Sequence, residues 1–251
     1  MTAFYLTLTI RAAPRSRRGK KSVLNRDQIK YFAMFAMLLN HIAGIFLEPG
    51  TLQAELFFDI GYFTAITMCY FMVEGYQHTR SKKNYGIRLL LFALVSQFPF
   101  QFAFEHGGLS MIYTLFCCFL ILVVRERAES PLLRKFLQVL LTLATAVGDW
   151  PFFAAAFVIL FDEARLGKRR FWDAYIFGVI GFGLMQGFGY ASIMPAAKAV
   201  LCAAGACLGM LSSGFVLRYL YNGKRAEHGR NLSKWFFYIF YPAHLLVLYM
   251  M

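Results

Sequence analysis

Two ionisable residues stand eleven positions apart on one apolar stretch, residues 27–48 (DQIKYFAMFAMLLNHIAGIFLE). Lys30 opens it and His41 lies in its interior. That spacing is almost three helical turns, so both side chains fall on one helix face, about 16 Å apart along the axis. A second histidine, His244, sits inside another apolar stretch near the far end of the chain, FYIFYPAHLLVLY. Imidazole titrates near neutrality and serves as general base or general acid. An ionisable group at membrane depth is costly, so its presence points to a functional site. Between these histidines the sequence places Glu74 and His78, four apart and hence on one helix face. A dense cationic turn follows, with Arg80, Lys82, Lys83 and Arg88. Such a cluster suits phosphate groups, which arginine grips in forked contacts. Arg88 falls inside an apolar segment with Tyr85 nearly one turn before it, which makes it a better candidate than the flanking Lys82 and Lys83. Glu74 has a structural alternative, an ion pair with Arg88 or Lys30. His244 has one too, a buried hydrogen bond to Tyr238 or Tyr241.

The elements that hold these residues follow from composition. Of 251 residues 59% are hydrophobic and 18% aromatic, in long unbroken runs, which is the signature of an integral membrane protein. The net charge of +13 does not indicate nucleic acid, because the basic residues lie between apolar segments rather than on one domain. Cys69, Cys117, Cys118, Cys202 and Cys207 all fall in apolar segments with no CxxC or Cys/His cluster. They read as packing residues, and neither a disulfide framework nor a metal is expected.

Nine hydrophobic spans are expected, at about 28–48, 54–78, 85–104, 109–125, 132–148, 150–163, 171–190, 195–217 and 234–251. The sixth is short for a full crossing. With the N-terminus inside, every lysine and arginine except Lys198 falls in an inner segment: residues 11–30, 80–88, 125–135, 165–170 and 218–234. This alternation predicts an all-α, polytopic protein with a cytosolic N-terminus and an external C-terminus. Glu48, Glu55, Asp59, Glu105 and Asp149 fall in or beside the short outer loops. Residues 1–27 form a basic N-terminal segment and 28–251 a single transmembrane domain. The first ten residues are apolar and precede the basic run, the reverse of a secretory signal, so none is expected. On this topology His41 lies about 20 Å and His244 about 15 Å from the inner surface. Two histidines from opposite ends of the chain therefore reach similar, central depths. If both serve one reaction they must share a cavity, with the first and last spans adjacent and the imidazoles within about one water-mediated contact.

Lesser polar features complete the reading. Ser96, Gln97 and Pro99 are expected to break the third span. Tyr113 and Thr114 place hydroxyls in the fourth, as interhelical contacts. The turn GDWPFF at 148–153 sets Asp149 at the outer boundary, where an acceptor would arrive. The glycines of GVIGFGLMQGFG at 178–189 allow close helix approach.

Four stretches resemble the F-pilin acetylase (TraX) family, in the expected order: LLNHIAG at 38–44, FMVEGYQHTRSKKNYGIRLLLFALVSQFPF at 71–100, GDWPFF at 148–153 and KWFFYIFYPAHLLVLY at 234–249. Lys30 and His41 also resemble the pattern of basic residue, ten residues and histidine seen in membrane acyltransferase-3 proteins, where the basic residue is usually arginine. Asn40 stands where the family usually has aspartate, and Gly61-Tyr62 where it often has Gly-Arg. Aspartate orients an imidazole and stabilises its cation; asparagine only orients it. The resemblance implies a membrane-embedded acyltransferase of the bacterial inner membrane, with acetyl-CoA or another acyl-CoA as co-substrate and no metal. It implies catalysis by His41, with the basic residue Lys30 helping to hold acyl-CoA. On the reading of the residues themselves, His244 and Glu74 are expected to orient His41 or relay protons. Lys30, Arg80, Arg88 and Tyr85 would hold the CoA moiety. The acceptor would be a pilin-like peptide, a surface glycan or a lipid. A proton-coupled transporter using Glu74, His41 and His244 is the alternative, and a membrane scaffold for a surface-assembly machine is a third.

Overall fold

The structure is a computed structural model and describes residues 23–104, 108–227 and 230–251. The apolar start at 1–10, the basic run at 11–21 and Glu105 lie outside the described residues, as do the side chains of Arg230 and Lys234. Nine α-helices occur among the described residues: α1 (Arg26–Phe46), α2 (Leu52–His78), α3 (Lys82–Phe104), α4 (Met111–Arg127), α5 (Pro131–Ala144), α6 (Phe153–Arg165), α7 (Asp173–Ala191), α8 (Ala196–Phe215) and α9 (Arg230–Met250). Each occupies one of the expected apolar segments. A 3₁₀ turn follows α5 and a π turn, Val216–Leu220, extends α8.

Five of these helices, α1, α2, α3, α7 and α8 with its π turn, are long and apolar enough to cross a membrane. The chain is a multi-pass membrane protein. At 17, 14 and 13 residues, α4, α5 and α6 fall short of the roughly 20 residues a bilayer core requires. None of the residues of α5 is buried; it leans on α4 and turns Leu132, Phe136, Val139 and Leu143 outward.

The 27-residue α2 is the hub. It is apolar on all sides, which suits a helix surrounded by others. It packs against α1, α4, α6 and α8, while α3 lies against α4 and α9, and α9 also meets α1. Small residues set the closest approaches. A Cβ on Gly209 of α8 would come within 1.8 Å of the Asp59 carbonyl oxygen, and one on Gly205 within 2.1 Å of the Asp59 carboxylate. Backbone cannot yield as a flexible side chain does, so Gly209→Ala is expected to destabilise the bundle by about 1–3 kcal/mol. The unfolding midpoint in detergent reads this, and an unchanged midpoint would show that α2 and α8 lie farther apart.

The expected break at Ser96, Gln97 and Pro99 does not occur, because α3 runs through Pro99 to Phe104. Proline leaves one helix carbonyl without its donor, and packed neighbours make that tolerable. Gln97 instead fastens the next loop: its Nε2 donates to the Gly108 carbonyl at 3.0 Å, and its Oε1 accepts from the Ser110 N–H at 3.0 Å.

The chain's entry into α1 is also fastened. Asn25 caps the helix in a reciprocal box with Gln28. Leu24 pairs with the strand-like stretch after α8, donating to the Leu220 carbonyl at 3.0 Å and accepting from the Asn222 N–H at 2.9 Å. The Arg26 N–H donates to the Lys224 carbonyl at 2.9 Å. The start of α1 and the α8–α9 connection therefore share one end of the bundle. The end of α2 and start of α3 join them, for Tyr221 donates to Glu74 at 2.6 Å. Lys82 pairs with Glu126 of α4, and Arg125 pairs with Asp162 of α6 at 2.9 Å. The cationic segments thus converge at a single end.

Candidate functional site

A cavity of about 570 Å³ opens among these cations and runs inward between α1, α2, α3, α4 and α9. Arg26, Lys30, Arg80, Arg88 and Arg225 line its mouth. Among the described residues none of the five forms an ion pair, whereas Lys82, Arg125, Arg165 and Arg169, away from the cavity, are all paired with carboxylates. Arg26 is buried, and its guanidinium reaches only the Phe71 carbonyl, at 3.2 Å. The Nε atoms of Arg26 and Arg88 are buried without an acceptor among the described residues. Buried donors ordinarily find partners, and the cavity that Arg26 and Arg88 line has the charge to take an anion beside them. Lys30 holds its ammonium 4.9 Å from the centre of the Phe237 ring and 5.9 Å from that of Phe71. Aromatic faces attract a cation without neutralising it. Tyr85 lies on the same wall, 5.8 Å from the Arg88 guanidinium, and donates its hydroxyl to the Met72 sulfur at 3.4 Å.

The inner end of the cavity holds His41, and behind it His244. His41 Nδ1 and His244 Nε2 are 2.7 Å apart. The rings are parallel to within 10° with centroids 5.0 Å apart, the spacing of two rings meeting end to end in one plane. His244 Nδ1 lies 2.8 Å from the Phe240 carbonyl. A carbonyl only accepts, so Nδ1 of His244 carries a proton. In the neutral ring its Nε2 is then an acceptor, and Nδ1 of His41 must donate to it. The lone pair of the pair is therefore at Nε2 of His41, which has no partner among the described residues. This tautomer follows from the network and leaves His41 presented as a base with a second imidazole behind it. Phe104 and Tyr241 meet the His41 ring edge-on, at 5.2 and 6.2 Å. Gly61 makes room beside it, since a Cβ there would lie 2.3 Å from that of Asn40.

A second pocket, of about 270 Å³, approaches His41 from the other end of the bundle. Phe100, Phe104, Leu109 and Pro151 line it, and Asn40, His41, Asp149 and Trp150 line both hollows. The wall between them is thus shared by α1, through Asn40 and His41, and the GDWPFF turn, through Asp149 and Trp150. Trp150 and Phe152 have φ of 58° and 61°, strained values for bulky residues. The turn is held by its surroundings. Asp149 N–H donates to the Leu109 carbonyl at 2.8 Å, and Thr114 donates to the Asp149 carbonyl at 2.7 Å. The Trp150 indole stacks on Phe182, with ring centres 5.0 Å apart.

Of the residues singled out in the sequence, the structure gathers Lys30, Arg80, Tyr85, Arg88 and His41 on one cavity, with His244 touching His41. The alternatives offered for His244, Tyr238 and Tyr241, are replaced by His41 and the Phe240 carbonyl. Glu74 is not brought to the imidazoles or to the cavity wall. One of its oxygens accepts from Tyr221, the other has no hydrogen bond, and among the described residues it forms no ion pair with Lys30 or Arg88. His78 reaches the mouth, its Nδ1 2.8 Å from the Glu74 carbonyl. Arg26 and Arg225 belong to the site and were read only as topology signals. For Arg26 the clue was available, since it precedes Lys30 by one helical turn. Arg225 arrives through the pairing of Leu24 with Tyr221, which no local pattern announces.

Known proteins give a consistent picture. The chain is 28% identical over 236 residues to the probable fimbrial assembly protein FimC, serogroup H1, of Dichelobacter nodosus, covering 88% of this chain and 93% of that protein. No solved structure matches it. The family described as TraX protein matches residues 25–251, from the cap of α1 to the last residue and so across the whole bundle. The chain belongs to the TraX family.

Proposed function

We propose that this protein is a membrane-embedded acyltransferase that takes an acetyl or other short acyl group from acyl-CoA and passes it to a hydroxyl or amine on an acceptor. The observation that carries this reading is the position of the His41–His244 pair, at the meeting of a cation-lined cavity and a second pocket from the opposite end. The phosphates of CoA would lie at the mouth against Arg26, Lys30, Arg80 and Arg88, with Tyr85 beside them. The thioester would reach His41. An acceptor entering the second pocket would lose its proton to Nε2 of His41, and the imidazolium would share that charge with His244 and return the proton to the departing thiolate. Glu74 would act at the mouth, holding Tyr221 and tempering its positive charge. The gathering of basic segments at one end supports nine spans with that mouth facing the cytosol, in a bacterial inner membrane. Membership of the TraX family and a relative named for fimbrial assembly support a surface-fibre subunit as acceptor.

The test uses purified protein in detergent with acetyl-CoA, and hydroxylamine as a surrogate acceptor. Acetyl-CoA binding with release of the CoA thiol above background is expected. Absence of both would overturn the reading. Proton flux into liposomes without acetyl-CoA turnover would favour the transporter instead.

The mouth makes its own prediction. Lys30→Ala and Arg88→Ala are expected to raise the KM for acetyl-CoA about 10-fold each, roughly the worth of one charge-assisted contact. They should leave the KM for hydroxylamine near its original value. Raising salt from 0.05 to about 0.5 M should weaken acetyl-CoA binding as well, because partly exposed charges are screened. Wild-type affinity in both variants would remove these residues from the phosphate contacts.

A further inference from the structure

The proposed transfer generates a negative charge that the imidazole pair does not meet. When the acceptor attacks, the thioester carbonyl oxygen becomes an oxyanion, and such a charge needs a preorganised donor. We infer that Tyr241 is that donor, an inference that rests on the acyl-transfer reading and adds a catalytic residue to it.

Tyr241 lies on α9 nearly one turn before His244 and is 5% exposed. It lines the larger cavity, with its ring centre 6.2 Å from that of His41 and 5.6 Å from that of His244. Its oxygen accepts from the Met111 N–H at 3.2 Å, and its own proton is donated to no group among the described residues. A buried hydroxyl that accepts one bond and donates none, beside the base of a reaction centre, is a donor held in reserve. Met111 is the first residue of α4, where unpaired N–H groups and the helix dipole give partial positive charge. Ser110, at the cap, supplies no side-chain bond that would quench it. The contact from Met111 both fixes the phenol and makes its O–H a stronger donor. Tyr62 also lines the cavity and, like Tyr241, accepts one bond, from Gln186 Nε2 at 2.6 Å, but its ring contacts are with Trp150 and Phe182 rather than with either imidazole.

The step balances with the groups named. The acceptor's oxygen or nitrogen bonds to the carbonyl carbon while its proton passes to Nε2 of His41. The carbonyl electron pair moves to the oxygen, which the Tyr241 O–H meets. The pair returns, the carbon–sulfur bond breaks, and the thiolate takes the proton from His41. The products are the acylated acceptor and CoA thiol.

The experiment compares wild type, Tyr241→Phe and His41→Ala with acetyl-CoA and hydroxylamine. Tyr241→Phe is expected to lower kcat about 10²–10³-fold, with the Kd for acetyl-CoA unchanged and the unfolding midpoint lowered only by the lost contact with the Met111 N–H. If Tyr241 only props up α4, the midpoint falls while kcat of the folded variant stays near that of wild type, and the inference is overturned. Should the phenylalanine variant fail to fold, 3-fluorotyrosine at position 241 keeps the oxygen for Met111 while making the phenol more acidic. Its kcat is expected to change, and an unchanged kcat overturns the inference. Turnover by wild type, loss in His41→Ala and full activity in Tyr241→Phe would sink this assignment alone. No turnover and no acetyl-CoA binding by wild type would sink the acyl-transfer reading beneath it.

Discussion

His41→Ala is expected to cut acyl transfer about 10²–10⁴-fold, the usual worth of a positioned general base, while acetyl-CoA still binds. The argument is geometric. The cations that would hold the donor line the cavity mouth, three helical turns from the imidazole, so removing the ring leaves them in place. The ring is buried against Phe104 and Tyr241, so the variant also opens a small cavity. His41→Gln, closer in size, separates lost packing from lost basicity. Glutamine accepts a hydrogen bond but takes no proton at neutral pH, so its folded protein should be as inactive as the alanine variant. Full transfer by either variant would remove His41 from catalysis.

The second large effect belongs to His244. Its Nε2 fixes the tautomer of His41, and without it either nitrogen of His41 can carry the proton. His244→Ala is therefore expected to lower kcat by about 10²-fold, less than the roughly 10⁴-fold loss when a carboxylate orienting a catalytic histidine is replaced, because a neutral imidazole stabilises the cation less. His244→Asn should recover part of this, since its carbonyl oxygen can accept from Nδ1 of His41 without taking a proton. The two histidines act as a unit, so the double alanine variant should be no slower than His41→Ala alone. Independent, multiplying losses would mean that the 2.7 Å contact has no part in the reaction.

Much of this was legible in the sequence because a bilayer imposes coarse rules. Long apolar runs between cationic turns located all nine helices of the described residues, since charge and length leave a lipid-facing chain few options. The meeting of His41 with His244 was legible from their similar depths together with the requirement that two groups serving one reaction stand on adjacent spans. What stayed hidden depends on that rotation and on loops. Arg225 reaches the mouth through the pairing of Leu24 with Tyr221. The continuity of α3 through Pro99 depends on its neighbours, which periodicity does not reveal. The positive φ of Trp150 and Phe152 carries no glycine to announce it, for packing against Phe182 and the bonds from Leu109 and Thr114 impose it.

The thin wall between the two hollows has an electrical consequence. Across an unbroken bilayer the membrane voltage falls over about 30 Å of hydrocarbon. Where water enters from both ends, it falls instead over the few side chains between, here Asn40, His41, Asp149 and Trp150. A proton taken from an acceptor on one side and delivered to a thiolate on the other would cross much of that drop, about 2.3 kcal/mol per 100 mV for a full crossing. With the cation-lined mouth on the negative side, the proposed transfer would be an inward step that the field favours. On that reading the Trp150 indole, clamped in its strained turn between the hollows, would insulate one from the other when no acceptor is present.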